Sequence, residues 1–460
     1  MQPSDAMPYA HVRSDHLHTW TKGPGRPIAA EGSVASECTE FVPVQPNSWE
    51  ETGLKESEVE QLVLKLLLHG GNLSGRGISE RLRLPFVLVE PLLLCLNRDH
   101  MIAYFASAPM NDTVYQLTES GREKARRASG QCEYHGAAPV TLEAYNHSVQ
   151  AQSIRRQHLT LPDLQRVFSD LLLSPRLMDR LGPAVNSGRG LLLYGAPGNG
   201  KTSIAERVSH AFDAAVWIPR VLGIDNQIIR LFDPLNHEEL PLEGSENEVY
   251  GTPIDHRWVR IRRPTVTVGG ELTLESLEIA FNSSTGIGEG PLQLKSNCGT
   301  LVIDDFGRQR ISVEQLLNRW IVPLEKRFDF LSLASGKKVR VPFDCLVIFS
   351  TNLTSHDLNH EGFLRRIPYK IEITGPNESD FRCLFQRTCE SLDIAYQAEL
   401  INYLIDRHYK ATERPFRYCH PRDLLLQIRG YCLFHGLPTQ LTKQNIDTAA
   451  LNYFDGDESA

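Results

Sequence analysis

The residues of this chain best suited to chemistry lie between Gly195 and Ser203, reading Gly-Ala-Pro-Gly-Asn-Gly-Lys-Thr-Ser. Gly195, Ala196, Pro197, Gly198, Asn199, Gly200, Lys201 and Thr202 satisfy the pattern G-x-x-x-x-G-K-[ST] without a mismatch. Glycines let successive backbone N–H groups curl around phosphate oxygens. The Lys201 ammonium then reaches the β- and γ-phosphates, and the Thr202 hydroxyl suits Mg²⁺. The loop therefore predicts binding of a nucleoside triphosphate. Further polar groups close apolar runs downstream: Asp304 and Asp305 follow Thr300-Leu301-Val302-Ile303, and Asn352 follows Leu346-Val347-Ile348-Phe349-Ser350-Thr351. Arginines stand in Gly362-Phe363-Leu364-Arg365-Arg366-Ile367 and in His420-Pro421-Arg422-Asp423. Phosphoryl transfer is mainly positioning and charge stabilisation, so it calls for a carboxylate that orients water in line with the leaving oxygen.

These groups need elements to hold them. Gly190-Leu191-Leu192-Leu193-Tyr194 is a short apolar run, as a buried parallel strand should be. After the loop, Ile204, Val208, Ala211 and Phe212 make one apolar helix face. Strand, glycine loop and helix in that order put phosphate at a helix N-terminus, where the dipole and free N–H groups favour anions. Ahead of the strand, Val167, Phe168, Leu171 and Leu172 mark an amphipathic helix, with Leu177, Leu181 and Val185 leading into Gly188-Arg189-Gly190. Between the loop and the acidic pair, alternation from Trp258 to Val268 predicts extra strands. The pattern of Leu272 to Phe281 reads as a helix, followed by a loop over 282–290 and a short helix over 291–295. Arg260 and Arg262 beside Trp258 could form a single-strand nucleic-acid contact or a solvated strand face. Beyond the acids come a helix from Ser312 to Lys326 and a hairpin over 328–343. Helical patterns at 381–392, 398–409, 424–434 and 443–453 complete the chain.

The N-terminal half is organised differently. Residues 1–53 are rich in Pro, Ser, Gly, Glu and His and read as a disordered arm, His11, His16 and His18 included. Residues 54–128 then show three helical patterns and a hairpin, Ile102 to Phe105 and Val114 to Leu117 around Pro109-Met110-Asn111-Asp112. That order resembles a winged helix-turn-helix module, whose third helix would enter the DNA major groove. Here that helix, Phe86 to Leu96, carries no Arg, Lys, Asn or Gln to read base edges. The resemblance thus leaves DNA binding through residues 54–128 as one reading and protein docking as the other. Residues 129–160 read as a linker; Cys132 and His135 within it have half a metal-site spacing and no second pair.

Taken together, the loop, acids, asparagine and two arginine sites resemble the AAA+ superfamily of ATPases over roughly residues 161–453. The resemblance implies an α/β fold: a P-loop NTPase parallel sheet in 161–376 and a C-terminal helical lid in 377–460, preceded by the small winged helix-like α+β domain. Its cofactors would be ATP and Mg²⁺. ATP would be held by Gly195 to Ser203, and the metal by Thr202 and, through water, Asp304. Asp305 would polarise the attacking water; as most members carry Glu there, the shorter Asp implies slow turnover. Asn352 matches the sensor-one position and Arg422 the sensor-two position. Arg366, or its rival Arg365, would act as a finger on a neighbour's phosphate, which implies a homo-oligomeric ring. The interrupted helix and the hairpin resemble the branch of MoxR-type ATPases and enhancer-binding activators. Asp304-Asp305-Phe306-Gly307 also resembles helicase loaders and transposition helpers, the alternative reading.

Bulk properties limit the partners. A net charge of −8 over 460 residues argues against whole-chain attraction to nucleic acid, leaving a protein client as the first expectation. Nine scattered cysteines suggest reduced thiols and a cytoplasmic location. No apolar run approaches the ~18–20 residues of a membrane span.

Overall fold

In the computed structural model, the described residues are 41–212, 215–242, 248–249, 252–353 and 366–454. Order starts before residue 54. The Ser48 side chain accepts from the Glu51 N–H to open the single turn α1 (Trp49–Thr52), and Gly53, at φ 69°, closes it. Phe41 and Val42 pack beside Trp258, and Val44 bridges Ile254. Residues 41–53 are thus held by burial, a correction to the expected arm. Residues 1–40, with His11, His16 and His18, lie outside the described residues.

Next come α2 (Glu56–Gly70), β1 (Leu73–Ser74), α3 (Gly75–Leu82), α4 (Phe86–Arg98), β2 (Ile102–Ala108), β3 (Asp112–Leu117) and α5 (Glu119–Gln131). The strands form an antiparallel sheet in the order β1-β3-β2, over a core that includes Val59, Leu62, Val63, Ile78, Leu92 and Leu93. The expected linker at 129–160 is not one. It contains β4 (Val140–Thr141) and α6 (Leu142–Ala151), capped by the Thr141 side chain, with Tyr145 and Val149 buried in an inner core. Leu142, Tyr145 and Val149 fall on one helix face, and burying that stripe stabilises the segment.

The α/β part begins with α7 (Leu161–Val167), α8 (Pro175–Asn186), β5 (Leu191–Tyr194) and α9 (Lys201–Arg207). A β-rich stretch follows: β6 (Ala215–Pro219), β7 (Val221–Ile224), β8 (Gln227–Arg230), the pair β9 (Glu248–Val249) and β10 (Thr252–Pro253), β11 (Trp258–Arg262), β12 (Thr265–Val268), β13 (Ala280–Asn282) and β14 (Ile287–Glu289). Then come α10 (Leu292–Lys295), β15 (Thr300–Ile303), α11 (Val313–Lys326), the hairpin β16 (Phe328–Ser332) and β17 (Lys338–Pro342), β18 (Leu346–Thr351) and β19 (Tyr369–Glu372). Four helices end the described residues: α12 (Glu378–Ser391), α13 (Ala398–Ile405), α14 (His420–Phe434) and α15 (Lys443–Phe454), around their own core of Phe381, Phe385, Tyr409 and Leu424.

The central sheet has five strands, all parallel, in the order β12-β15-β18-β5-β19. Both of its faces are covered, which is why its strands read as unbroken apolar runs. Leu191 and Leu193 pack with Ile204, Val208 and Phe168 on one side, while Leu192 packs with Trp320 and Phe349 on the other. A second sheet, β13-β14-β8-β7-β4, shares a core with the β6–β11 ribbon and the β16–β17 hairpin.

One sequence expectation fails here, and one of two open readings is ruled out. The helix expected from Leu272 to Phe281 is a 3-10 turn, Glu275–Leu277, followed by strand β13. Leu277, Ile279 and Phe281 fall at every second position as in a strand, with Glu278 and Ala280 between them, and the Asn282 side chain accepts from the Ser284 and Thr285 N–H groups to turn the chain into β14. The interrupted helix is therefore a β-hairpin. Trp258 is only 6% exposed, its ring 5.5 Å from Phe41, so it offers no face for a base to stack on. Arg262 pairs with Glu238 at 2.8 Å.

Candidate nucleotide site

Parallel strands end together, and side chains at their carboxyl ends converge. β5 ends at the glycine loop, β18 beside it ends at Asn352, and β15 beyond that ends at Asp304 and Asp305. Two of the loop's glycines are sterically required. Gly195 has φ 138°, and a Cβ there would lie 2.5 Å from the Ile373 carbonyl oxygen; Gly198 has φ 79°, and a Cβ there would lie 2.5 Å from the Cys419 Sγ. Around the loop is a cavity of about 980 Å³. Its walls include Pro197 to Ile204, Asp304, Asp305, Asn352, Leu171 to Ser174, Arg176, Leu177, Ile373 to Gly375, Tyr418, Cys419 and Arg422.

Lys201 is 6% exposed. Its Nζ donates to the Gly195 carbonyl at 2.9 Å, the Ala196 carbonyl at 3.0 Å and Asn352 Oδ1 at 2.7 Å. Asn352 Nδ2 in turn donates to Asp305 Oδ1 at 3.0 Å. One asparagine thus joins the loop lysine to the second acid. The Thr202 hydroxyl donates to both carboxylate oxygens of Asp304, at 2.9 and 3.1 Å. Burial lowers the pKa of Lys201; Asp304 and Asp305 oppose that shift, and the Arg417 guanidinium adds to it.

The donor set fits a magnesium nucleotide. Thr202 and Asp304 offer adjacent hard oxygens, as Mg²⁺ requires. Lys201 and the backbone around Gly198 and Gly200 face the cavity, and a Cβ on Gly200 would meet nothing within 4 Å. Asn199 is buried, donates from Nδ2 to the Ile373 carbonyl at 3.3 Å, and has no partner for Oδ1. Ser203 lines the cavity beside Thr202.

The remaining expected residues divide. Arg422, in the first turn of α14, is exposed on the cavity wall. Arg366 does not join its own site. It precedes β19, whose first residue Tyr369 pairs with Leu191 at the amino end of β5, so about 10 Å of strand separates it from the cavity end. Its Nε donates to Glu325 on α11 at 2.8 Å. Arg365 lies outside the described residues.

Several cavity residues were not foreseen. Ile373 and Gly375 border the loop only because β19 lies beside β5, and Cys419 reaches it by donating its N–H to the Gly198 carbonyl at 3.0 Å. The one available signal was proximity in sequence to His420-Pro421-Arg422.

A family described as a domain of unknown function, DUF8689, matches residues 377–452, within the four terminal helices. No curated protein matches the sequence. Among solved structures, NtrX from Brucella abortus is similar at 14% identity and TM-score 0.38, over 61% of this chain and 57% of that one. A RuvB variant from Thermotoga maritima is similar at 11% identity and TM-score 0.35, over 61% of this chain and 70% of that one. Domain III of the Thermotoga maritima replication initiation protein DnaA is similar at 11% and 0.33, over 65% and 99%. The chain therefore spans little more than half the length of the NtrX structure.

Proposed function

We propose that this chain binds and hydrolyses ATP with Mg²⁺ as an AAA+-type ATPase, works as a homo-oligomeric ring, and couples turnover to remodelling of a macromolecular client. The observation that carries the reading is the convergence of Lys201, Thr202, Asp304, Asp305 and Asn352 at the ends of three adjacent parallel strands. When bound, the magnesium nucleotide would supply the phosphoric anhydride to be cleaved. Lys201 and the loop N–H groups would hold its phosphates, with Thr202 and Asp304 on the metal. Asp305, oriented by Asn352, is the base that orients water, and the lid brings Arg422 to the same cavity. The position of Arg366, away from its own cavity, supports a finger that acts on a neighbour, with Arg365 still its rival.

The β16–β17 hairpin supports the MoxR and activator branch, whereas the interrupted helix no longer does. The outward residues of α4 (Val87, Glu90, Pro91, Leu94, Cys95 and Arg98) include a single cation, which favours a protein over DNA as the partner of residues 54–128. No helix among the described residues is long and apolar enough to cross a membrane. Calorimetry with Mg-ATP tests the core of the reading. Lys201→Ala should weaken binding by roughly a hundredfold or more, since hydrogen bonds to a charged group are lost; unchanged affinity would remove the loop from nucleotide binding.

A further inference from the structure

A second cavity, of about 500 Å³, shares no wall residue with the nucleotide site. It lies where α2 and α3 end and the chain returns at 135–136, and its walls are Leu66, Glu80, Arg81, Arg83, His135 and Gly136. Local structure fixes each group. Arg81 is in the last turn of α3, and its guanidinium fills the space a Cβ on Gly70 would take. Arg83 is the C-cap of that helix, at φ 57°, a left-handed position usually given to glycine. The returning segment is held by the Ala138 N–H, which donates to the Leu82 carbonyl at 2.8 Å. His135 donates from Nδ1 to the Glu133 carbonyl at 2.8 Å, which leaves Nε2 for a ligand. Its ring stacks on His69, with centroids 4.3 Å apart and planes 13° from parallel.

Three groups that carry or can take a positive charge thus line one cavity, and a fourth stacks on one of them. Among the described residues, neither Arg81 nor Arg83 has a carboxylate within ion-pair distance. On α5 of the same module, by contrast, Lys124, Arg126 and Arg127 pair with Glu60, Glu119 and Glu123. A helix C-terminus favours a cation in its last turn. His69 serves α2 and Arg81 serves α3, so Arg83 and His135 exceed that need. Two guanidinium forks beside an imidazole match the several oxygens and double charge of a phosphoryl group. The cavity is in the size range of small-molecule sites, larger than a bare phosphate fills. Leu66 gives it an apolar wall, and Glu80 an acceptor for a hydroxyl. We propose that this cavity binds a small phosphate monoester, with its phosphoryl group on Arg81, Arg83 and His135 and its organic part against Leu66 and Glu80. Because the cavity joins the ends of α2 and α3 to the segment that leads into β4, an occupant ties the N-terminal module to the second sheet.

The probe is glycerol 3-phosphate, titrated by calorimetry into the full chain carrying Lys201→Ala, and into wild type saturated with Mg-ADP, so that the phosphate loop takes no part. Binding with a Kd of roughly 0.1–1 mM and a rise in melting temperature are expected, with neither from glycerol. Arg81→Gln and Arg83→Gln should each weaken the probe by about tenfold or more, since a charge-assisted hydrogen bond is lost. Arg→Lys at either position keeps the charge without the fork and should lose less. No heat and no melting rise up to about 10 mM probe overturns the proposal. So does binding that neither Arg→Gln variant changes. A 5′-phosphorylated single strand that binds more tightly than the probe, and more tightly than the same strand without its phosphate, overturns the small-molecule assignment in favour of a nucleic-acid end. If the Arg→Gln variants melt below the assay temperature, the Arg→Lys variants decide: wild-type affinity in both overturns the proposal. Wild type that fails to bind Mg-ADP brings down the nucleotide reading alone, and leaves the titration of the Lys201→Ala chain as the test of this cavity.

Discussion

At the scale of single residues, the site is a chain of short hydrogen bonds from Lys201 through Asn352 to Asp305. Such a chain would let occupancy of the loop be felt at Asp305, the proposed water-orienting carboxylate, without any large motion. Asp305 itself sits at φ 48°, in the left-handed region where a non-glycine residue is uncommon. Its backbone is held on both sides: the Asp304 N–H donates to Val268 and the Phe306 N–H to Ser350. Asp305→Asn keeps that shape and the bond from Asn352 but removes the proposed base. It should leave ATP affinity within a few-fold while lowering phosphate release by roughly 10²- to 10⁴-fold. Release at the wild-type rate, measured with a coupled phosphate assay, would take Asp305 out of the mechanism.

Single elements show how the β-rich stretch is fastened to the sheet. The loop after β8 is clamped to α10 by His237. Its Nδ1 accepts from the Asp233 N–H at 3.0 Å, its Nε2 lies 2.8 Å from the Lys295 carbonyl, and Lys295 pairs with Asp233 at 2.7 Å. Accepting at Nδ1 leaves the proton on Nε2, so the ring is neutral. Burial pushes its pKa below the ordinary 6.5, with the Lys295 carbonyl and Asp233 opposing. The sign follows: below pH 6.5 the unfolded chain takes up a proton that the folded one refuses, so stability falls on acidification through that window and is fully present above it. Melting temperature should therefore drop between pH 7 and 5.5, and His237→Asn, which does not titrate there, should flatten the drop. An equally steep profile in the variant would assign the acid sensitivity to other groups. Element-scale packing also explains what periodicity missed. The stripe Leu142, Tyr145, Val149 is helical in spacing, yet sparse enough to pass for loop until β7 and α10 supply what it packs on.

For the whole molecule, the placement of Arg366 is decisive. It is on the side of the sheet away from its own cavity and held by Glu325, so a role in hydrolysis requires a second copy. Mixing Arg366→Ala subunits into wild type should depress ATPase activity more than dilution does, to below half at an equal mixture. A linear fall would argue that each subunit works alone. Arg365→Ala mixed in the same way separates the two candidates, since only the true finger should give the excess loss.

The phosphate loop, the acidic pair, Asn352 and the terminal helices were readable from the chain alone, because each is dictated locally. A glycine loop needs its spacing, a buried parallel strand needs an unbroken apolar run, and a helix needs its stripe. Tertiary structure decided the rest. Whether the chain around Ala280 to Asn282 forms a helix or a strand depends on β8 lying alongside β14, and whether Trp258 faces solvent depends on Phe41 reaching it from the N-terminal segment. The lid's contact with the loop is of the same kind. Gly198 and Cys419 are far apart in the chain and meet only because β19 hands the chain from the edge of the sheet to the helices, and no local pattern encodes a contact whose two halves are set by separate cores.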